Sequence, residues 1–85
     1  MKLARIAHYD RGERTDPAMR LRRFDVVDVN AFLSAYVAVP DALFEDGTEA
    51  PLVEVIFSKG GTCHLVSTSA SEFRRVMGFD PPGTP

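Results

Sequence analysis

The side chains best suited to chemistry in this chain are the adjacent pair Cys63-His64 and one distant second histidine, His8. A zinc site takes about four nitrogen or sulfur ligands at characteristic spacings, and one cysteine with two histidines falls short. Successive strand residues point to opposite faces, so Cys63 and His64 diverge where thiolate–imidazole chemistry would need them to converge. Cys63 is expected to be a small core residue and His64 a surface one. Lys59-Gly60-Gly61-Thr62 has the composition of a phosphate cradle. Such a cradle, however, runs GxxxxGK[ST] from a strand into a helix, and here the run joins two strand-like segments, as a hairpin turn does. Glu45, Asp46 and Glu49 lack the alternating oxygen-ligand spacing of a calcium loop and read as a solvated loop. No acid, base and nucleophile can be placed in one site. No catalytic, cofactor-binding or metal-binding residue is therefore assigned, and the chain is expected to be non-enzymatic.

The densest charged cluster is Arg11, Arg14, Arg20, Arg22 and Arg23. Guanidinium forks hold phosphates and carboxylates well, so these five are the candidate residues for nucleic-acid contact. Only Tyr9 and Phe24 flank them, whereas nucleic-acid binders usually add stacking aromatics or a plainly basic face. Residues 1–24 hold seven basic and three acidic side chains, a balance of +4, and residues 25–85 hold three and nine, a balance of −6. With the whole chain at −2, mutual attraction of the two halves is the favoured reading and nucleic-acid contact the alternative.

These residues must be positioned by short strands. Residues 3–9 and 22–29 form the first two, separated by an arginine-bearing loop over 10–18 with Gly12, Asp16 and Pro17. Asp25 and Asp28 are three apart and cannot share a regular strand face, which predicts a bulge near Val26-Val27. A helical turn over 30–33 precedes a third strand over 34–39, rich in β-branched and aromatic residues and stopped by Pro40. Residues 41–51 are a polar loop pinned by Leu43 and Phe44. Residues 52–57 and 62–66 form a hairpin through Lys59-Gly60-Gly61. A three-residue loop sets Phe57 against Cys63 and Val55 against Leu65, turning Val53, Val55, Phe57, Cys63 and Leu65 inward. Glu54, Ile56, His64 and Val66 then face outward. Ser69 with Glu72 predicts a capping box for a helix over 70–77. Its apolar stripe is Ala70, Phe73, Val76 and Met77, and Gly78 ends it.

The assembled expectation is an α+β, β-rich fold: a small antiparallel meander, or an SH3-like partly open barrel, of about five strands with one short C-terminal helix. Residues 1–79 form the single domain and 80–85 a flexible tail. A hydrophobic fraction of 45% with 26% charged residues argues against disorder. The longest nearly apolar stretch, 31–39, is far short of the roughly 20 residues of a membrane helix, and a lone cysteine suits a reducing compartment. The expected location is therefore cytoplasmic, with no membrane partner. Two β-branched residues on an outward face exceed what a solvent face needs, so Ile56 and Val66 either lie beneath the helix or form an exposed patch for a partner or a second copy. Glu54, Ile56, His64 and Val66 are accordingly the candidate partner-binding residues of a small binding or regulatory module. It would act through protein–protein contact or self-association as an accessory subunit, an inhibitor or a phage-type modulator.

Overall fold

The computed structural model describes residues 1–13 and 15–83. Five antiparallel strands are followed by one helix: β1 (Leu3–Arg11), β2 (Met19–Asp28), β3 (Phe32–Leu43), β4 (Glu49–Lys59), β5 (Thr62–Ser69) and α1 (Ala70–Met77). A 3-10 turn over Val29–Ala31 leads into β3. The strands form two sheets, β1-β2 and β3-β4-β5, which do not close into a barrel. The fold is thus the β-rich meander with a C-terminal helix that the sequence implies. No helix among the described residues is long and apolar enough to cross a membrane.

The core lies between the inward faces of the two sheets, with the helix completing it. Ile6 and Val27 come from the first sheet, Val53, Val55, Phe57 and Val66 from the second, and Phe73 and Val76 from α1. A smaller cluster of Ala42, Phe44 and Leu52, joined by Tyr9 and Met19, closes the far end. The helix obeys its sequence signals. The Glu72 amide donates to Ser69 Oγ at 3.2 Å. Gly78 adopts φ +86° and donates to the Arg74 carbonyl, a left-handed stop that glycine enters without steric cost. Phe79 then turns back edge-on to Phe73, with ring centroids 5.3 Å apart. Asp80 lies 3.7 Å from Arg74 and Pro81 is buried, so the start of the segment expected to be a tail touches the body. Its last two residues lie outside the described set.

The β4–β5 register differs from the expected one. Lys59 pairs with Thr62, Phe57 with His64, Ile56 with Leu65 and Val55 with Val66, so the loop is the two residues Gly60-Gly61. Both have positive φ, +59° and +82°, the conformation of a primed two-residue turn whose twist matches the strands it joins. Two glycines satisfy that turn, whereas the three-residue loop uses only one. The swap turns Val66 inward at 0% exposure and leaves Leu65 outside at 46%. Cys63 is exposed, not a core residue, and His64 is turned inward rather than outward.

The remaining corrections have local causes. No bulge occurs at Val26-Val27. Asp25 opposes the buried Ile6 and its carboxylate lies 3.3 Å from His64 Nε2. Asp28 instead accepts from the Asn30 amide at 3.0 Å as the cap of the 3-10 turn. The first-sheet irregularity falls at His8/Tyr9, where Arg22 is the extra residue. β3 continues through Pro40 to Leu43, which an edge strand permits because its outer N–H groups need no partner.

The register makes a sharp prediction. Val66→Lys places an unpaired charge in the core and unfolds the chain, while Leu65→Lys changes stability by no more than ~0.5 kcal/mol. Phe57→Ala, at a side chain only 1% exposed, costs about 3–5 kcal/mol. Thermal melts of the three variants check this, and a Leu65→Lys protein less stable than Val66→Lys would restore the alternative register.

Candidate functional site

The four residues singled out for partner contact divide between two faces. Ser34, Ile56 and Leu65 lie across the three strands of the second sheet in one row, and Tyr36, Glu54 and Ser67 in the next. Cross-strand neighbours share a face, so Glu54 and Ile56 are outward with Tyr36 and Leu65. His64 and Val66 are inward. Val66 belongs to the core, and His64 meets Asp25 at the mouth between the sheets, where Arg23 Nε donates to Asp25 Oδ1 at 2.8 Å. The expected outward position of His64 and Val66 is therefore corrected, and Leu65 takes the place given to them. The helix packs on the inward face through Phe73 and Val76, so Ile56 does not lie beneath it. The Tyr36 hydroxyl donates to Glu54 at 3.3 Å. The nearby Glu54 charge is the main cause that raises the Tyr36 phenol above its ordinary range.

The sheet edges differ in how their unpaired backbone is met. β1 and β5 face each other without a ladder, and side chains fill the seam. Glu72 accepts the Ala7 amide at 2.9 Å, Arg75 donates to the Arg5 carbonyl at 2.8 Å, and the Ser67 amide donates to His8 Nδ1 at 3.0 Å. Glu72 and Arg75 also pair with each other at 2.7 Å. A carboxylate and a guanidinium on one helix thus take the acceptor and donor roles of an adjoining strand. The start of β2 is covered by the 44–45 segment, through the Glu45 amide to the Met19 carbonyl and the Leu21 amide to Glu45 Oε1. The rest of β2 carries Arg22, Arg23, Asp25 and Asp28. The outer edge of β3 has neither protection before Pro40 and Asp41 near its far end. Phe32 to Pro40 holds no charged residue, while Leu33 is 55% and Tyr36 51% exposed.

The arginines are drawn mainly to acids of their own segment rather than to the acidic half of the chain. Arg20 pairs with Asp16 and Arg22 lies 3.6 Å from Asp10, while Arg23 takes Asp25. Hydrogen bonds from Arg20 first, and then from the Ala18 amide, hold the Asp16 carboxyl below its usual range. Arg11 has no ion pair among the described residues and lines a cleft of about 530 Å³ with Tyr9, Met19, Val39 and Leu43. Arg14 lies outside the described residues. Arg5, outside the cluster, stacks over Phe24 at 4.3 Å, a cation–π contact. Among the described residues no group of three His, Cys, Asp or Glu side chains could hold a metal ion. No protein-family model matches the chain, and no curated protein or solved structure matches it either.

The seam carries a pH signature. The Arg75 hydrogen bond, opposed by burial and helped by the Ala7 amide, lowers the pKa of Glu72. A depressed folded-state pKa gives stability that is fully present above the unfolded value. That stability is lost as pH falls from the ordinary glutamate range through the lower folded-state value. Glu72→Gln should therefore be less stable than the parent at neutral pH and lose less stability on acidification. Urea melts at several pH values check this, and parallel losses in the two proteins would contradict it.

Proposed function

We propose that this chain is a non-enzymatic binding module acting through protein–protein contact, with the second sheet's outward face and its β3 edge as the contact surface. The observation that carries this reading is the contrast among edges: β1, β5 and β2 are plugged or charged, whereas β3 is uncharged and uncovered from Phe32 to Val39, up to Pro40 and Asp41. An edge of unpaired N–H and C=O groups is a template for pairing with another chain, and proteins ordinarily blunt such edges with charge, cover or proline. Tyr36, Ile56 and Leu65 extend the same surface across the sheet, and aromatic side chains of this kind supply much of the energy at interfaces. The surface is of a kind that serves accessory subunits and inhibitors alike.

The alternative, nucleic-acid contact through Arg11, Arg14, Arg20, Arg22 and Arg23, draws support from their density. It is weakened because Arg20, Arg22 and Arg23 each face a carboxylate, which phosphates would have to displace. One experiment separates the two: capture of partners by the tagged full chain, with and without nuclease, beside its Ile56→Lys variant. Ile56 is outward and only part-buried, so the variant should keep the parental circular dichroism spectrum. A nuclease-resistant protein partner lost from Ile56→Lys is the expected result. A catch that nuclease abolishes and Ile56→Lys retains would overturn the reading in favour of the arginine segment.

A further inference from the structure

The chain has two histidines, and both stand where one sheet meets the other. His64 on β5 faces the Asp25 carboxylate of β2, with Nε2 3.3 Å away. His8 on β1 faces a backbone donor instead: the Ser67 amide of β5 donates to its Nδ1 at 3.0 Å. Its Nε2 lies 3.2 Å from Asp10 Oδ1. An amide N–H can only donate, so Nδ1 must present a lone pair, and the neutral ring carries its one proton on Nε2, towards Asp10. Turning the ring over would set carbon atoms against both partners, so the two contacts fix its orientation as well as its tautomer. His8 is only 8% exposed, and no strand pairs with β5 on this side.

We propose that His8 is a proton-operated latch between the two sheets, holding Ser67 while the imidazole is neutral and releasing it when Nδ1 takes up a proton. The imidazolium carries N–H on both nitrogens and would meet the Ser67 amide donor to donor. The charged groups around the ring offer Ser67 no substitute. Asp10 already faces Nε2, and Arg22 lies 3.6 Å from its other oxygen. Arg23 is the cross-strand neighbour of His8, and Glu54 that of Ser67. Asp41 and Glu54 line the adjoining cleft with Asp10 and Ser67. From α1, Glu72 is taken by Ala7 and Arg75, and Arg75 also reaches the Arg5 carbonyl. The carboxylates favour a charged ring, which eases uptake of the proton, yet none of them accepts from the Ser67 amide. Histidine is the side chain that ordinarily changes charge between about pH 5 and 8, whereas Glu72, held below the usual glutamate range, stays ionised there. Mild acid therefore opens the Ser67 half of the seam and leaves the Ala7 half shut. His64 responds in the opposite sense, because a proton on its ring is attracted to Asp25. The latch is accordingly read locally, at Ser67, and it does not depend on what the β3 edge meets.

Amide exchange of the full chain between about pH 7.5 and about pH 5, corrected for the intrinsic pH dependence of exchange, tests this. Across that interval the protection of Ser67 should fall roughly tenfold or more relative to that of Ala7. His8→Asn keeps an acceptor near the Nδ1 position and does not titrate, so its Ser67-to-Ala7 ratio should stay constant. Ring-nitrogen spectra of the isotope-labelled parent supply a second reading that needs no variant. Nε2 alone should be protonated at neutral pH, and Nδ1 should gain its proton as Ser67 loses protection. A parental Ser67-to-Ala7 ratio that stays constant with pH overturns the latch. So does a folded His8→Asn protein with the parental pH response, or a proton on Nδ1 at neutral pH with Ser67 still protected.

Discussion

Every peptide N–H and C=O taken out of water needs a partner, and β1 meets this demand with only one strand beside it. Its second edge faces β5 across a gap that no ladder spans. Glu72, Arg75 and His8 fill the gap with side-chain groups, and the rest of the structure depends on their doing so. The core behind them, from Ile6 through Val66 to Phe73, is dry only while that seam is shut. The helix therefore has two tasks that fall on different faces. Phe73 and Val76 complete the core, and one turn of charged residues closes the sheet edge. An 85-residue chain buries a modest share of its surface, so a short helix serving both ends saves a further element.

The same accounting of edges underlies the proposed contact surface. A chain that closes one seam with an ion pair, covers the start of β2 with a loop and lines the remainder with arginines and aspartates leaves one edge that none of these devices protects. That edge is continuous with a face where Tyr36, Ile56 and Leu65 lie on neighbouring strands. The placement of charge thus leaves one uncharged edge on a single side of the molecule, and Pro40 bounds it.

Much of this was legible in the residues, and the misses have physical causes. The helix was readable to its ends because Ser69, Glu72 and Gly78 act locally, through the φ/ψ and hydrogen bonds of their own turns. The hairpin was readable as a hairpin but not in register. The observed register requires His64 inside, and only the fold brings Asp25 across to meet it. Cys63 and His64 exchanged their expected surroundings for the same reason. Pro40 read as a stop because its effect depends on whether the strand is central or at an edge, which a sequence does not state. The seam was invisible: Glu72 carries a capping signal, yet its carboxylate serves Ala7, 65 residues away. Of the candidate surface, Glu54 and Ile56 were placed correctly, while Tyr36 and Leu65 emerged only with the pairing of three strands.

Amide hydrogen exchange on the dilute protein tests the central claim about edges most directly. Side-chain closure of the β1–β5 seam predicts that the Ala7 and Ser67 amides, with no strand partner, exchange as slowly as amides in the middle of β4. The alternate amides of β3 that do not pair with β4 should exchange orders of magnitude faster. Ala7 and Ser67 exchanging as fast as the open β3 edge would contradict the account, because the seam would then be open to water and β3 would no longer be the exception among the edges.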